Sequence, residues 1–300
     1  MIPKRPFYIF AILAASLTFA DTACKKASST TPNSATPLQD LINTDTTLQY
    51  FHALLLKGNE AGLLKDDTVT LLIPTNAAFR SAGWHVDSLG STDASRMVRY
   101  WTIKGIAQPS TSDYTAYNTA LGYAIYGMKD DKTWFNGVTK NGDTLRIGKA
   151  LVYKINAPVF PAYDSVMSLA ADDSTLTIFH EALGRSGLDT TLLPNHYTIL
   201  APNNNAWISA GYDSPDAIDS ADSATILNIV KNHIFAGTLF TNNFANLTSL
   251  TSLQGNTISV STIGSTTQFA GTTGTPAKLM NGNIVGGNNF VVHRIDQLLH

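Results

Sequence analysis

The chain has 300 residues, of which 44% are hydrophobic and 14% are charged, so it is long enough for two packed domains and too apolar for wholesale disorder. Its formal net charge is −2 and no basic stripe stands out, which argues against nucleic acid as a partner. The charged fraction lies below the roughly 25% of an average soluble domain, and a surface made polar by Asn, Thr and Ser instead is typical of exported proteins.

The first element that the sequence predicts is an export signal. Lys4 and Arg5 precede an uncharged apolar run at residues 7–20, which is shorter than the roughly 20 residues that a membrane-spanning helix needs. The only cysteine, Cys24, follows shortly afterwards and cannot form a disulfide within the chain. The stretch around it, TACKKASSTTPNSATP, resembles the end of a bacterial lipoprotein signal of the Bacteroidetes type, in which the cysteine is lipidated and becomes the new N-terminus.

This resemblance implies a signal peptide at residues 1–23, followed by a lipidated Cys24 and a flexible tether at residues 24–37. It also implies an exported protein of the outer membrane or cell surface that contacts the membrane through its lipid anchor only. Ala23 fits the lipoprotein pattern, whereas Asp21 stands where a small or aliphatic residue is usual. Ordinary signal cleavage a few residues earlier, leaving a free thiol, is the alternative.

A long segment of the sequence is repeated. TLLIPTNAAFRSAGW at residues 70–84 returns as TILAPNNNAWISAGY at 198–212, and residues 45–84 share fifteen identities with residues 173–212 without a gap. Duplication of one folding unit explains this, because internal repeats reflect a repeated structural unit. The sequence therefore predicts two domains, at residues 38–168 and 169–300, and we expect each to fold independently when the other is removed.

Within each unit the sequence predicts helices first and strands afterwards. Asp45 or Thr46 is expected to cap a helix whose apolar residues recur at helical spacing. TVTLLIP at residues 68–74 predicts a short buried strand that Pro74 ends. The Gly, Asn and Thr-rich second half of each unit predicts short antiparallel strands and hairpins, so the fold class is α+β.

Three motifs resemble the hallmarks of the fasciclin (FAS1) family: LLIPTNAAF at 71–79, ILAPNNNAW at 199–207 and NNFVVHRIDQLL at 288–299. The resemblance implies two tandem FAS1-like domains, each with N-terminal helices and a β-rich, wedge-like or sandwich-like second half. In the first domain it places Met167 where the family's last hallmark has a histidine. It also implies a non-enzymatic adhesion protein.

The family's Tyr-His pair is divided between the two domains. The first has Tyr100-Trp101 at this place and the second has Asn232-His233, so each keeps one member. Because this pair is associated with integrin binding in animal members, its residues are candidates for contact with a partner, as is Trp134, which we expect near a loop tip. Core filling is the alternative for the aromatic residues. The candidate partner-binding residues are Tyr100, Trp101, Trp134, Asn232 and His233.

The sequence contains none of the spacings that predict a metal, cofactor or catalytic site. Its seven histidines form no HxH or HExxH motif, and it has neither G-x-S-x-G nor a phosphate-binding loop. We therefore expect no catalytic residues, no cofactor and no metal. The predicted function is that of a lipid-anchored surface protein that binds a polysaccharide, a matrix component or an envelope protein. A structural envelope component without a soluble ligand and an uncharacterised enzyme are the alternatives.

Overall fold

The computed structural model describes residues 36–66, 68–188, 195–286 and 289–300, so Cys24 and nearly all of the predicted tether lie outside the described residues. Helix α1 (Pro37–Thr44) begins at the last residue of that tether, because Thr36 and Gln39 form a capping box around its first turn. Among the described helices, none has both the length and the apolar character needed to cross a bilayer.

Helices precede most of the strands in each half of the described chain, as predicted. The first half contains α1, α2 (Gln49–Lys57), β1 (Val69–Pro74), α3 (Asn76–Ser81), α4 (Ser91–Tyr100), β2 (Thr102–Lys104), β3 (Thr115–Asn118), β4 (Ala124–Lys129), β5 (Thr133–Phe135), β6 (Val138–Thr139), β7 (Leu145–Ile147) and β8 (Ala150–Ile155). The second half contains α5 (Val166–Asp172), α6 (Thr177–Ser186), β9 (Tyr197–Pro202), α7 (Asn204–Ser209), α8 (Pro215–Ser220), α9 (Ser223–Asn232), β10 (Ile234–Ala236), α10 (Thr241–Phe244), β11 (Ser249–Thr251), β12 (Thr257–Ile263), β13 (Thr266–Ala270), β14 (Ala277–Gly286) and β15 (Phe290–Ile295).

We call residues 37–160 the first copy and residues 165–300 the second copy. In the first copy, β1 pairs with β2 in antiparallel and with β8 in parallel orientation. In the second copy, β9 pairs in the same way with β10 and β15. The fold is thus mixed α/β with β-rich sheets, as the helix and strand patterns predicted, and a parallel pair at the centre of each copy accompanies the antiparallel strands. Helix α5 spans the predicted domain boundary after residue 168 and packs against other second-copy residues.

Strand register identifies the equivalent residues at the end of each copy. Ile155 lies beside the strand-ending proline of β1, and Ile295 lies beside that of β9. Two residues earlier stand Tyr153 and His293, so Tyr153 occupies the histidine position in the first copy. The assignment of that position to Met167 is wrong, because Met167 lies in helix α5 and not in the closing strand.

The copies differ in the strand that precedes the closing strand. In the second copy, β14 pairs with both β13 and β15, which joins all the strands into one seven-stranded sheet. In the first copy, the corresponding segment is divided into β6 and β7 by residues 140–144, KNGDT. The described strands of the first copy therefore form two separate four-stranded sheets, in the orders β2-β1-β8-β7 and β3-β4-β5-β6.

The two copies share a hydrophobic core. Phe240 of the second copy is buried within the core cluster of the first, where its ring centroid lies 4.6 Å from that of Tyr114. The Tyr114 hydroxyl donates a hydrogen bond to Oδ1 of Asn242 at 2.8 Å. Val285 and Val291 belong to the same cluster. Separation of the predicted domains would expose this surface to water, so independent folding of each stays a prediction.

Candidate functional site

The repeated phrase of the sequence forms the corner between a central strand and the following helix. In the first copy, the Asn76 side chain accepts from the backbone N–H of Tyr50 at 3.0 Å and donates to the carbonyl of Thr46 at 2.9 Å. Asn204 repeats both bonds in the second copy. Each asparagine thereby ties the corner to the start of another helix. Asp45 does not cap α2 as predicted, because it ends α1 and its carboxylate accepts from the N–H of Thr47.

An ion pair is repeated at each corner. Lys154 lies 2.6 Å from Asp45, and Arg294 lies 2.9 Å from Asp173. Burial alone raises the pKa of Asp45, but hydrogen bonds from Lys154 and Thr47 outweigh it and hold the pKa below its usual value. Cavities of about 340 and 270 Å³ adjoin the two corners. Because Lys154 and Arg294 are each paired with a carboxylate, we assign the corner ion pairs to the architecture.

Tyr100 and Trp101, two of the predicted partner-binding residues, are fully buried. The indole N–H of Trp101 donates to the carbonyl of Val159 at 2.8 Å, and the Tyr100 hydroxyl donates to the carbonyl of Ala124 at 3.1 Å. Burial raises the pKa of the Tyr100 hydroxyl. Direct contact of these side chains with a partner is therefore a wrong prediction, because both are buried, where Trp101 holds the end of the first copy and Tyr100 holds the start of β4.

Asn232 and His233 hold the end of the second copy in the same way. Asn232 donates to the carbonyl of Leu299 at 2.8 Å, and Nε2 of His233 accepts from the backbone N–H of Leu299 at 3.0 Å. Nδ1 of His233 lies 2.8 Å from the carbonyl of Ile229, which requires the proton on Nδ1. Burial lowers the pKa of His233 to about 4. Both side chains are buried, so the prediction that they contact a partner is also wrong.

The closing strands carry a further equivalent pair of buried donors. Nε2 of His293 donates to the carbonyl of Leu239 at 2.8 Å, while its Nδ1 accepts from the backbone N–H of Asn283. In the first copy, the Tyr153 hydroxyl donates to the carbonyl of Ala107 at 3.1 Å. Burial lowers the pKa of His293 to about 4 and raises that of Tyr153. These residues are structural because every polar atom named here has a partner inside the fold.

Trp134 is the predicted partner-binding residue that keeps accessible surface. It lies in β5, close to the turn that joins this strand to β4, as predicted. Its indole N–H donates to Oδ1 of Asp130 at 3.0 Å, and the ammonium group of Lys132 lies 5.8 Å from its ring centroid. A cation at this distance from an indole face is favourable, which orders the turn.

A cleft of about 640 Å³ opens beside this turn, between β4 and β5 on one side and β7 and β8 on the other. Tyr153 and Leu151, both buried, form its floor. Gln108 and Thr144 add neutral polar groups. The charged side chains that line this basic cleft are Lys129, Lys132, Lys140, Arg146, Asp131 and Asp143.

The charges of the basic cleft are not paired with one another. Four cations and two carboxylates leave an excess of two positive charges. No ion pair among the described residues engages any of the four cations, in contrast to Lys154 at the nearby corner. Lys140 donates to the carbonyl of Gly142 at 2.6 Å, which holds its ammonium group at the rim. The arrangement can accept an anionic ligand, since charge is available there without breaking an internal pair.

The basic cleft could not be recognised in the sequence because its cations stand singly along the chain. Six Lys or Arg residues fall between positions 124 and 155, whereas two fall between 257 and 295 in the second copy. This higher density of cations in the first copy was the feature of the sequence that could have indicated a basic site there. The described residues also contain no group of three or more His, Cys, Asp or Glu side chains that could hold a metal ion.

A smaller cavity of about 240 Å³ lies at the end of the first copy. Trp84 and Phe160 form part of its wall, with ring centroids 5.5 Å apart. The guanidinium group of Arg96 stacks over the ring of Tyr163 at 5.5 Å and donates to the carbonyl of Ala162 at 2.6 Å. Arg96 already occupies the Tyr163 ring face that a ligand could use. The basic cleft is therefore the stronger candidate for a binding site.

Comparison with known protein families matches residues 174–300 to the Fasciclin domain. The second copy carries a Fasciclin domain. Human periostin is 28% identical over 208 residues, which cover 66% of this chain and 24% of periostin, so the chain spans about a quarter of the length of that relative. The structure of a FAS1 domain pair from the insect cell adhesion molecule Fasciclin I aligns with 85% of this chain and 97% of its own, at 15% identity and a TM-score of 0.40.

Proposed function

We propose that the chain is a non-enzymatic adhesion protein of the cell surface, built from two tandem FAS1-like domains and held to the outer membrane by a lipid on Cys24. Its basic cleft binds a polymer of the envelope or of the surrounding matrix. The match of the second copy to the Fasciclin domain and the likeness to periostin support the adhesive role. The lipoprotein-like stretch around Cys24 supports the anchor.

The single observation that carries the proposal is the basic cleft itself. It is open to solvent along a rim of exposed side chains, and its volume of about 640 Å³ exceeds what a single small ring needs. These features favour binding of an extended chain.

The test is binding of the soluble chain, residues 36–300, to insoluble envelope and matrix material from the producing cells. We expect saturable binding that Gln108→Trp weakens strongly, because an indole at this rim position obstructs part of the cleft. Gln254→Trp is the matched control, since Gln254 is an exposed glutamine of the second copy. Equal binding by both variants, or no binding by the unmodified chain, would contradict the proposal.

The anchor is tested separately in cells that make the full-length chain. We expect Cys24→Ser to move the protein from the detergent phase to the aqueous phase in a phase-partition assay. Mass spectrometry of the mature N-terminus should then find no acylated peptide. A mature chain of the unmodified protein that starts before Cys24 and carries no lipid would support ordinary secretion instead.

A further inference from the structure

The charge of the basic cleft indicates the chemistry of the polymer. We propose that the cleft binds an acidic polysaccharide, a chain of sugar units that carry carboxylate groups. This inference rests on the proposed function, because it names the ligand class of the same cleft.

One wall of the cleft supplies two cations from a hairpin. Lys129 ends β4 and pairs across the hairpin with Thr133, while Lys132 lies in the turn between the strands. The contact of Lys132 with the Trp134 ring limits the freedom of the turn. A carboxylate that binds here would find two ammonium groups on a short, ordered segment, which lowers the entropic cost of forming the ion pairs.

The opposite wall supplies a different kind of cation. Arg146 lies on β7, where its register partner on β8 is the floor residue Leu151. A guanidinium group is planar and binds a carboxylate through two parallel hydrogen bonds, whereas an ammonium group acts as a point charge. Lys140 stands at the other end of this wall, held by its bond to the carbonyl of Gly142. The cations thus flank the cleft from both sides and can contact successive acidic units of one chain.

The rest of the lining fits sugar rings between these charges. The floor is formed by Tyr153 and Leu151, and because both are almost fully buried, a sugar ring would lie mainly against the polar rim. Gln108 and Thr144 can exchange hydrogen bonds with sugar hydroxyls. Nucleic acid fits less well, because Tyr153, the aromatic side chain of the described lining, is buried and leaves no ring face on which a base could stack.

The site is confined to the first copy, and the second copy provides an internal comparison. Strand register places neutral residues of the second copy at the positions of three of the cleft's cations. Thr262, Leu279 and Val285 stand at the positions of Lys129, Lys140 and Arg146. The continuous strand β14 also closes the gap between the sheets in the second copy. The segment at residues 140–146 therefore supplies the opening and two of the four cations, and the hairpin between β4 and β5 supplies the other two.

The experiment uses residues 36–300 with polygalacturonate as the probe and its fully methyl-esterified form as the uncharged control, measured by calorimetry. We expect saturable binding of the acid form, weakening as salt rises from about 20 to about 500 mM because exposed ion pairs are screened. Lys129→Gln and Arg146→Gln should each weaken binding roughly five-fold, the effect of one exposed ion pair. Lys104→Gln, at an exposed lysine outside the cleft, should leave binding unchanged.

Each other outcome overturns the inference in a recognisable way. Equal binding of the methyl ester would mean that charge is not recognised, and equal binding of double-stranded DNA would mean that the cleft takes any polyanion. Binding that Lys129→Gln and Arg146→Gln leave intact would place the polysaccharide elsewhere. If envelope material still binds and Gln108→Trp still weakens that binding in these cases, the proposed function stands and only the ligand class is wrong. If nothing binds, both fail.

Discussion

The first and second copies have the same central strands and the same corner ion pair, but they differ in the sheet around them. The second copy continues through β14 as one sheet, whereas the first copy is interrupted at residues 140–144 and opens into the basic cleft. The retained features are those that bury apolar residues or satisfy polar ones. The difference lies at a solvent-exposed segment, where a change of sequence costs little stability and can create a binding surface.

The equivalent buried positions in β8 and β15 show which property of a side chain the fold requires there. Tyr153 and His293 have different side chains, yet each donates to the carbonyl of the equivalent residue two strands away, Ala107 or Leu239. What this position requires is a donor at a fixed place inside the core. An unsatisfied buried carbonyl would cost about 1–3 kcal/mol, which explains why a donor is kept while its identity changes.

The largest expected effect concerns the core that the copies share. Phe240→Ala should lower the free energy of unfolding by about 3–5 kcal/mol, since it removes a fully buried ring. Although Phe240 belongs to the second copy, its neighbours include Tyr114 and Tyr126 of the first. We therefore expect faster amide hydrogen exchange in β3 and β4, measured by mass spectrometry.

Phe244→Ala is the matched control for this prediction. Phe244 is equally buried, but it packs against Phe269 and His293 within the second copy. We expect a similar loss of stability with little change of exchange in β3 and β4. If both substitutions left exchange in the first copy unaltered, the copies would be independent units that merely touch.

An intermediate effect is expected from acid, and mainly in the second copy. His233 and His293 have pKa values of about 4 in the folded chain, below the ordinary value of 6.5, so the unfolded chain binds more protons between these pH values. Stability is therefore complete above pH 6.5 and falls as the pH falls toward 4. Each histidine should cost roughly 2 kcal/mol at pH 5. Protonation would also place a hydrogen on the ring nitrogen that now accepts a bond from a backbone N–H. Two N–H groups would then face each other, and that hydrogen bond would be lost.

Urea unfolding midpoints between pH 7 and 4 test this expectation. His293→Gln keeps an N–H donor without the titration, so it should remove about half of the pH dependence. His85→Gln, at an exposed histidine of the first copy, should change nothing. A pH dependence that survives both His293→Gln and His233→Gln would assign acid sensitivity to other groups. Hydrogen exchange at pH 5 should also show β9 and β15 opening before β1 and β8.

Much of the fold could be predicted from local sequence. The strands end at Pro74 and Pro202, as the prolines indicated, and the aromatic residues Phe79 and Trp207 are fully buried where the repeated phrase placed them. The parallel pairing of β1 with β8 could not be predicted in this way. It joins segments about eighty residues apart, and a short apolar strand gives no sign of its partner's direction.

The candidate site was harder to predict because exposure depends on tertiary packing. Tyrosine and tryptophan are common at binding surfaces, but the polar atoms of Tyr100 and Trp101 are bonded inside the fold. Tyr100 donates to the carbonyl of Ala124, 24 residues further on, and Trp101 donates to that of Val159, 58 residues further on. Core filling, the alternative for these aromatics, is the correct interpretation. The basic cleft depends on an interruption at residues 140–144, but the segment that contains it, residues 138–147, is as long as β14 in the second copy, so a difference in length gave no hint of it.

The smallest expected effect concerns the corner ion pairs, which should be equivalent in the two copies. Asp45→Asn and Asp173→Asn should each lower the free energy of unfolding by about 1 kcal/mol, because both pairs are partly accessible to solvent. Double-mutant cycles with Lys154→Gln and Arg294→Gln separate the pair energy from the lost bonds to neighbouring threonines. Two coupling energies that agree within about 0.5 kcal/mol would mark the corner as shared architecture. A much larger coupling in the first copy would instead extend the electrostatic difference between the copies from the basic cleft to the corner beside it.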